Sequence, residues 1–504
     1  MPVSLTDVPA DRLTEDLVER TMYARDLAPV PEIMTRSFFQ TLPDAIVRPA
    51  NATQVADVIR QAASLRLPVT PRAAGSTSYY NAVPVRGGLV LDVNSLRYDI
   101  SLDTARQTVR VLPGTTWFEL DDTLRRQGAA VRSYPSSAIA ATVGGWVSTQ
   151  GHGIGSLQYG AIADQLVSLQ VVLPTGELRE LTRNSDPPLS WFVAAEGTLG
   201  VITAVELGVR PRPAAESHHL FSFDELDALG AGVQSLSHSQ PRPYTVFFAD
   251  AGYLSLLERA GFHAPGGRRQ EAGLLPPASC LLPPASCLLP PASYPAGMLM
   301  VSFQGEASIV SQGRDSLARL PGRELPSELA LEEWSLRLYH LRNKRGGPSL
   351  LATDIWLPLR NLAAYLADVR KLAVRSRQQI GSYGLAITPE WGQVMSVYPT
   401  DERRTAAYLA AIGFTKRLHD LGGRYGGRPY GVGLWNTPYL SRIFSRAELS
   451  ELRRRKALLD PHGIMNPGKL YAAPFPLWPV TFAPAATALS LAHTTILRGE
   501  RRSP

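Results

Sequence analysis

The sequence predicts an α+β protein with more than one domain, on three observations. The chain has 504 residues, more than one hydrophobic core normally serves, so two or three domains are expected. From residue 45 onward, strand-like and helix-like segments alternate. From about residue 217, strands and helices lengthen and glycine-rich turns become rare. Hydrophobic residues make up 44% and charged residues 19% of the chain, which is typical of a globular enzyme rather than a disordered or fibrous protein.

The first predicted domain opens at residue 45 with a strand, a helix, a second strand and a glycine turn. Asn51 or Thr53 can cap the helix, whose apolar residues recur at helical spacing: Val55, Val58, Ile59, Ala62 and Ala63. The second strand begins at Val69 and runs into the turn 72–78. The alternation continues to about Pro213, through the segments 89–96 and 108–114 and a helix over 118–128.

The second predicted domain has strands over 298–305 and 352–359 and a helix over 404–422. A repeat, LLPPAS, interrupts it, and its paired prolines exclude a helix or a central strand. We therefore expect residues 265–296 to be a disordered or polyproline-like surface insertion, most simply a tandem duplication without function. Both cysteines, Cys280 and Cys287, lie in this repeat. So few thiols favour a reducing compartment and argue against a disulfide scaffold.

The charge distribution and the two chain ends indicate which partners and which cellular location to expect. The net charge of +7 is thinly spread, with one basic run at 453–456 on an expected helix face, so nucleic-acid binding is not expected. The N-terminal sequence lacks an apolar signal segment, which predicts a cytoplasmic protein. Within the tail 472–504, Pro476, Pro479 and Pro484 interrupt the apolar stretch 475–497 and leave it too short to span a membrane. Packing of the tail on the protein is favoured over peripheral membrane contact, which stays open.

Glycine is densest between residues 141 and 203, where two glycine-rich turns bracket a strand-forming segment. Such turns let backbone approach a ligand closely or adopt positive φ. The glycines alternate with the hydroxyl residues Ser148, Thr149, Ser156 and Thr198 and with backbone N–H groups that we expect to be free to bind a ligand. The turn 72–84 adds similar donors. It is not the dinucleotide fingerprint G-x-G-x-x-G, because Ala73 and Ala74 occupy glycine positions. Together the turns predict a large anionic cofactor.

The motifs RAAGSTS, TVGGWVS and EGTLGVIT, in this order and spacing, resemble the flavin-binding domain of the vanillyl-alcohol oxidase and p-cresol methylhydroxylase (PCMH-type) family. LLDPHGIMNPGKL resembles the closing motif of members with an FAD-linked oxidase C-terminal domain. The resemblance implies two α+β subdomains that hold FAD between them, and an α+β cap domain. The implied division is an N-terminal segment 1–44, an FAD-binding domain 45–213, a substrate or cap domain 214–455, a returning C-terminal segment 456–471, and the tail 472–504.

The same resemblance implies the cofactor-binding residues. Those at the pyrophosphate are Arg72, Gly75, Ser76, Thr77, Ser78 and Asn81. Those along the flavin and its ribityl chain are Ser136, Ala141, Thr142, Gly144, Gly145, Ser148 and Gly151. Those on the adenine side are Glu196, Gly197, Gly200 and Ile202, and Asn466 and Lys469 would reach the flavin from the chain end. Because the pyrophosphate loop has no histidine, we expect FAD to be bound non-covalently. His152 is the nearest histidine, and a hydrogen bond to backbone is favoured over a flavin link.

Members that oxidise D-lactate or glycolate commonly carry metal-binding histidines. These are absent from segment 387–399, and Tyr430 stands where such members have a histidine, so the resemblance implies no metal. Oxidation of a hydroxy acid needs a cation for the carboxylate and a base for the hydroxyl proton. The candidates are Tyr430, His340 and Arg337, with Arg342, Lys344, Asp354 and Glu390 nearby. For each of them a plain structural role, such as an arginine on a solvated helix face, is an alternative.

The resemblance therefore implies an FAD-dependent oxidoreductase acting on a small 2-hydroxy acid, D-lactate or glycolate, with an unknown electron acceptor. One alternative is a flavoenzyme without net redox chemistry, like alkyldihydroxyacetonephosphate synthase. Others are a sugar or lactone oxidase and a non-catalytic flavin-binding subunit.

Overall fold

A computed structural model of the protein describes residues 8–28, 39–262 and 296–471, together with residue 488. The chain divides into two compact units. The first unit comprises residues 1–153, 159–212 and 431–483, and the second comprises residues 154–158, 213–430 and 484–504. Both units combine helices and strands, so the predicted α+β class is confirmed.

A small sheet opens the first unit, with strands in the order β1, β2, β4, β3. The strands are β1 (Leu13–Thr14), β2 (Ala45–Val47), β3 (Val69–Arg72) and β4 (Leu89–Asp92). Strands β2, β4 and β3 are parallel, and the helix Ala52–Leu65 connects β2 to β3 as predicted. Asn51 caps this helix, since its Oδ1 accepts a hydrogen bond of 2.9 Å from the Gln54 amide. The apolar stripe of the helix is buried in the core against the sheet.

A second sheet completes the first unit, with antiparallel strands in the order β5, β6, β10, β8, β9, and with β7 paired to β10. Its strands are β5 (Ile100–Asp103), β6 (Thr108–Val111), β7 (Ala129–Val131), β8 (Leu166–Val172), β9 (Leu178–Leu181) and β10 (Val201–Pro211). The other helices of this unit are Leu17–Tyr23, Trp117–Arg126, Val143–Ser148, Ile162–Gln165, Leu440–Ile443 and Arg446–Leu459, while the short helix Ser156–Tyr159 begins among residues 154–158 of the second unit. The predicted strand 89–96 ends early because the Asp92 side chain accepts from the Asn94 amide, which turns the chain.

The segment after the last helix returns to the small sheet. Its backbone runs beside β3, where the Val69 amide donates to the Ile464 carbonyl (2.8 Å) and the Asn466 amide donates to the Val69 carbonyl (2.7 Å). Asp460 shapes this return, because its two carboxylate oxygens accept from the amides of Ile464 and Met465. Residues near the chain end are thereby fixed next to the loop that follows β3.

The second unit is built on an eight-stranded sheet in the order β14, β11, β13, β12, β16, β17, β15, β18. Its strands are β11 (Ala215–Phe223), β12 (Thr245–Asp250), β13 (Gly297–Gly305), β14 (Arg323–Glu324), β15 (Ser349–Pro358), β16 (Gly381–Ala386), β17 (Trp391–Thr400) and β18 (Arg428–Pro429). Its helices are Leu226–His238, Ala251–Arg259, Ala307–Ser316, Ser327–Ser335, Leu362–Ser376 and Thr405–Arg424. The strands predicted at 298–305 and 352–359 and the helix predicted at 404–422 are confirmed, with small shifts at their ends.

The strand register separates two different faces of this sheet. Because directly paired residues share a face, one face carries a row of aromatic and polar side chains, and we call it the aromatic face: His218, Phe247, Tyr383, Met395, Gln393, Asp354 and Trp356. The opposite face is covered by helices. There the Tyr398 hydroxyl donates to the Ala411 carbonyl at 2.8 Å, and the Tyr365 and Ser396 hydroxyls lie 3.3 Å apart.

Two sequence predictions fall outside the described residues. The insertion lies there from residue 265 to 295, together with both cysteines, and so does the tail apart from residue 488. In the portion of the chain that the structure describes, no helix has both the length and the apolar character needed to cross a membrane.

Candidate functional site

Three segments distant in sequence meet at Asn466 in the first unit. Its side-chain amide donates to the carbonyl of Asn81, at 3.1 Å, and to the carbonyl of Glu196, at 2.6 Å. Asn466 is 1% exposed and has a φ of 38°, a conformation that asparagine tolerates better than most residues. The loop after β3, the turn before β10 and the chain end are thus joined through one side chain.

The helix Val143–Ser148 joins the same place. The Glu196 amide donates to the Ser148 carbonyl at 3.0 Å. A Cβ built on Gly145 would lie 3.9 Å from the Ala73 Cβ, and one built on Gly197 would lie 3.1 Å from the Pro71 ring. The glycine-rich segments that the resemblance connects with FAD are therefore neighbours in space.

The expected free amides at the start of this helix are not found, and that expectation was wrong. The Val143 and Gly144 amides donate to the carbonyls of Thr115 and Pro113, both at 2.9 Å, and the Gly145 amide donates to the Thr142 hydroxyl at 3.2 Å. A Cβ on Gly144 would lie 2.4 Å from the Pro113 Cβ, so this glycine is required for packing. The Ser148 hydroxyl likewise donates within the helix, to the Gly144 carbonyl.

Arg72 connects the loop after β3 to the N-terminal segment. Its Nη1 donates to the carbonyls of Arg25 (2.7 Å), Ala82 (3.2 Å) and Tyr23 (3.3 Å). Gly75, with a φ of 62°, lets the loop turn closely over the guanidinium group, where a Cβ would lie 2.4 Å from Arg72 Nη2. Arg72 therefore has a structural role in addition to any contact with a cofactor.

Three ionisable groups lie together in this region, and we call Asp26, Glu196 and Lys469 the charge cluster. Lys469 is 1% exposed, and its Nζ lies 5.4 Å from the centre of the Tyr80 ring. Burial raises the pKa of Glu196 to about 7, against the effects of the Gly433 amide, which donates to Oε1 at 3.0 Å, and of the Lys469 charge. Burial also raises the pKa of Asp26 and lowers that of Lys469, and the attraction between these two opposes both shifts.

The unsatisfied polar atoms of this region suit FAD. Within the described ranges, five buried side-chain atoms here have no hydrogen-bond partner: Lys469 Nζ, Glu196 Oε2, Asp26 Oδ2, Asn81 Oδ1 and Asn466 Oδ1. Buried polar atoms without partners need an explanation such as a ligand or ordered water. FAD presents anionic oxygens to a lysine, and hydroxyl and amino donors to amide and carboxylate oxygens. This set of one donor and four acceptors therefore fits the cofactor.

The other predicted cofactor residues have visible packing roles. A Cβ on Gly151 would overlap the Trp146 ring, and one on Gly200, whose φ is 157°, would lie 2.7 Å from the Val172 carbonyl. Ile202 lies in β10. Ser76, Thr77 and Ser136 are half-buried, Ser78 is exposed, and Ala141 is buried. His152 Nδ1 lies 3.1 Å from the Gln150 carbonyl, a backbone hydrogen bond like the one expected. That each predicted residue contacts FAD stays a prediction.

In the second unit, two of the predicted catalytic residues stack on aromatic rings. The Arg337 guanidinium lies 4.4 Å from the centre of the Trp334 ring, which stacks on His218. His340 stacks on Phe247 with ring centres 4.4 Å apart. Burial lowers the pKa of His340 to about 3, and the charges of Arg342 and Arg337 add to this effect. The imidazole is therefore neutral at physiological pH and a weak base.

The third, Tyr430, lies at the other side of the aromatic face. Its ring is nearly parallel to that of Trp356, 6.3 Å away, and its amide donates to the Asp354 carbonyl at 3.0 Å. Gln393 Nε2 donates to both carboxylate oxygens of Asp354, at 2.9 and 3.1 Å. Sequence reasoning missed Gln393, because only the pairing of β15 with β17 brings it next to Asp354.

Arg342 is not on a solvated helix face, so that reading was wrong for this residue. The helix ends at Ser335, and the separate 3-10 helix His340–Gly346 buries the Arg342 side chain to 3% exposure. There Nη2 donates to the Glu333 carboxylate at 3.0 Å. Lys344 and Glu390 are exposed. Across the ranges the structure covers, no three His, Cys, Asp or Glu side chains are grouped so that they could hold a metal ion.

Two protein families match this chain in a comparison with known proteins. The FAD binding domain family matches residues 43–182, and the FAD linked oxidases, C-terminal domain, family matches residues 212–470, just over half of the chain. The glycolate oxidase subunit GlcD of Bacillus subtilis (strain 168) is 24% identical over 481 residues, which cover 90% of this chain and 92% of that protein.

Two solved structures have the same fold. That of p-cresol methylhydroxylase with substrate bound has a TM-score of 0.74 at 17% identity, covering 92% of this chain and 94% of that one. That of alkyldihydroxyacetonephosphate synthase has a TM-score of 0.72 at 20% identity, covering 92% and 83%. FAD is thus the cofactor, and the chain belongs to the FAD-linked oxidases of the vanillyl-alcohol oxidase and p-cresol methylhydroxylase flavoprotein family.

Proposed function

We propose that this enzyme oxidises a small 2-hydroxy acid, of the glycolate or D-lactate type, to the 2-oxo acid. The observation that carries the proposal is the composition of the β15 and β18 side of the aromatic face. There a carboxylate held by an amide (Asp354 with Gln393) lies beside Tyr430, and the Arg428 guanidinium lies 5.4 Å from the centre of the Trp356 ring. The similarity to a glycolate oxidase subunit over nearly the whole chain supports the same substrate class. Bound FAD supplies the acceptor for the two electrons that leave the substrate as hydride.

Residues of the second unit bind the substrate carboxylate and accept its hydroxyl proton. Arg337 lies over Trp334, which stacks on His218 in β11, and β11 is five strand spacings of about 4.8 Å from Asp354 in β15, too far for one small substrate to reach both. The substrate carboxylate is therefore assigned to Arg428, which pairs with Trp356 in the sheet and stacks over its ring. The hydroxyl proton passes by way of the Tyr430 hydroxyl to the Asp354 carboxylate, which is the base. His340 is the less suitable base, because its pKa of about 3 makes proton uptake unfavourable near neutral pH. Each oxidation releases one hydride and one proton, so the 2-oxo acid is the balanced product.

The direct test is anaerobic mixing of the purified yellow protein with hydroxy acids. We expect glycolate or D-lactate to bleach the visible flavin absorption. The amount of glyoxylate or pyruvate formed should equal the amount of flavin that is reduced. L-lactate and simple sugars serve as comparison compounds. A yellow protein that none of the hydroxy acids bleaches would contradict the proposal.

Replacing Arg428 by Met is expected to weaken the use of hydroxy acids by about 10 to 100-fold in kcat/KM, the usual value of a hydrogen bond to a charged group. The reason is the lost cation for the carboxylate. Steady-state kinetics measures the effect, and Lys344→Met, at an exposed cation elsewhere in the same unit, is the matched control. If the two variants lose activity equally, Arg428 does not bind the substrate.

A second candidate is a synthase-like reaction without net redox change, which the structural similarity to alkyldihydroxyacetonephosphate synthase favours. It predicts a yellow protein that hydroxy acids leave unbleached and that forms an alkyldihydroxyacetonephosphate product. A yellow protein inactive in both assays would favour a non-catalytic flavin-binding subunit.

A further inference from the structure

The N-terminal segment contributes a charged group to the cofactor region of the first unit. Residues 23–28 are held against the loop after β3, because Arg72 donates to the carbonyls of Tyr23 and Arg25. The Leu27 amide also donates to the Thr77 carbonyl at 3.0 Å. These contacts bring the Asp26 carboxylate to Lys469, although 443 residues separate the two in sequence.

The charge cluster places one buried cation beside two carboxylates. Lys469 Nζ, Glu196 Oε2 and Asp26 Oδ2 are enclosed, and among the described residues none of these atoms has a hydrogen-bond partner. A buried charge is costly unless an opposite charge lies nearby, and Lys469 has two such neighbours. Around the cluster, Arg72 faces Asp26, the Tyr80 ring faces Lys469, and the Asn81 side chain and Tyr471 face Glu196.

We propose that Asp26 is a positioning residue of the FAD site, which keeps Lys469 in its charged form, and that the N-terminal segment is therefore needed to retain FAD at alkaline pH. The inference concerns cofactor retention and does not depend on the proposed substrate. Nothing in the resemblance gives the segment 1–44 this role.

The argument follows from the surroundings of Lys469. Burial favours the neutral amine, and each adjacent carboxylate favours the ammonium form. Asp26→Asn removes one of these carboxylates and preserves the shape of the side chain. Lys469 then loses its proton at a lower pH. A neutral amine attracts the anionic cofactor less, so FAD is released at a lower pH.

The test measures the fluorescence of released FAD while the holoprotein is titrated from about pH 6 to about pH 11, a range that brackets the shifted and the ordinary lysine pKa. We expect Asp26→Asn to lower the midpoint of release by about 1 pH unit, the effect of one nearby opposite charge. Asp26→Glu, which retains the charge, should restore most of the wild-type midpoint. Asp11→Asn, at an exposed carboxylate of the same segment, should leave the midpoint unchanged.

A second comparison distinguishes an effect of the Asp26 charge on Lys469 from weaker packing of the N-terminal segment. In a Lys469→Met protein, Asp26→Asn should cause no further shift of the midpoint, because the group it acts through is gone. The proposal is overturned if Asp26→Asn releases FAD at the wild-type pH. It is also overturned if the same shift appears in the Lys469→Met background, or if the protein binds no FAD at any pH. Substrate turnover enters none of these readouts, so failure of the proposed function is recognised separately.

Discussion

Arg342→Met is expected to lower the unfolding free energy of the second unit by about 3–5 kcal/mol, the usual cost of removing one partner from a buried ion pair. Glu333 is 1% exposed and would keep a carboxylate without its cation. Burial already raises the pKa of Glu333, and the Arg342 charge opposes that shift. Urea unfolding followed by hydrogen exchange at the amides of β12 and β16 measures the change within this unit.

Two controls make this result specific. Replacing both partners, Glu333→Leu with Arg342→Met, should recover most of the lost stability, because no buried charge remains. Lys371→Met breaks an exposed pair with Asp368 and should cost less than about 1 kcal/mol. A double variant as unstable as Arg342→Met, or a single variant as stable as the wild type, would show that the pair does not govern stability here.

Glu196→Gln is expected to change how the stability of the FAD-free protein depends on pH. The folded-state pKa of Glu196 is raised from 4.5 to about 7 by burial, so the folded protein holds this proton more tightly than the unfolded chain. The stability that this group contributes is fully present below about pH 4.5, and it is lost as the pH rises through about 7. The glutamine side chain does not titrate, so the variant lacks this loss.

Between about pH 4.5 and about pH 8, the unfolding free energy of Glu196→Gln should therefore rise by about 3 kcal/mol relative to that of wild type. This value follows because one pKa unit corresponds to about 1.4 kcal/mol. Urea denaturation of the FAD-free proteins across this range measures it. Glu177→Gln, at an exposed carboxylate, is the control and should show a flat difference. A flat difference for Glu196→Gln too would mean that the carboxyl is not buried in the folded protein.

Much of the fold was predictable because its signals are local. The spacing of Val55, Val58, Ile59 and Ala62 marks one face of a helix, and Asn51 marks its start, whatever lies elsewhere in the chain. The order of the glycine motifs and the NPGK segment was sufficient to identify the family. Asn466 and Glu196, which were expected near one cofactor, do lie together.

The rest of the candidate site depends on contacts that sequence spacing does not encode. Gln393 reaches Asp354 only through strand register, and Arg342 meets Glu333 only because the helix stops and the chain turns back. Asp26 comes from a segment with no recognisable motif. The inference from dense glycine to free ligand-binding amides was wrong at two positions. Gly144 and Gly151 instead make room for Pro113 and Trp146.

We infer that three separated segments form one cofactor site. The most direct test is a calorimetric titration of the FAD-free protein with FAD, in which wild type is compared with Asn466→Leu. Leucine has nearly the size of asparagine but cannot donate to the carbonyls of Asn81 and Glu196. We predict one FAD per wild-type chain and an affinity reduced at least ~10-fold in the variant, since each lost hydrogen bond costs about 1 kcal/mol and leaves a buried carbonyl unpaired. Equal FAD affinity of the two proteins, with both folded, would contradict the account.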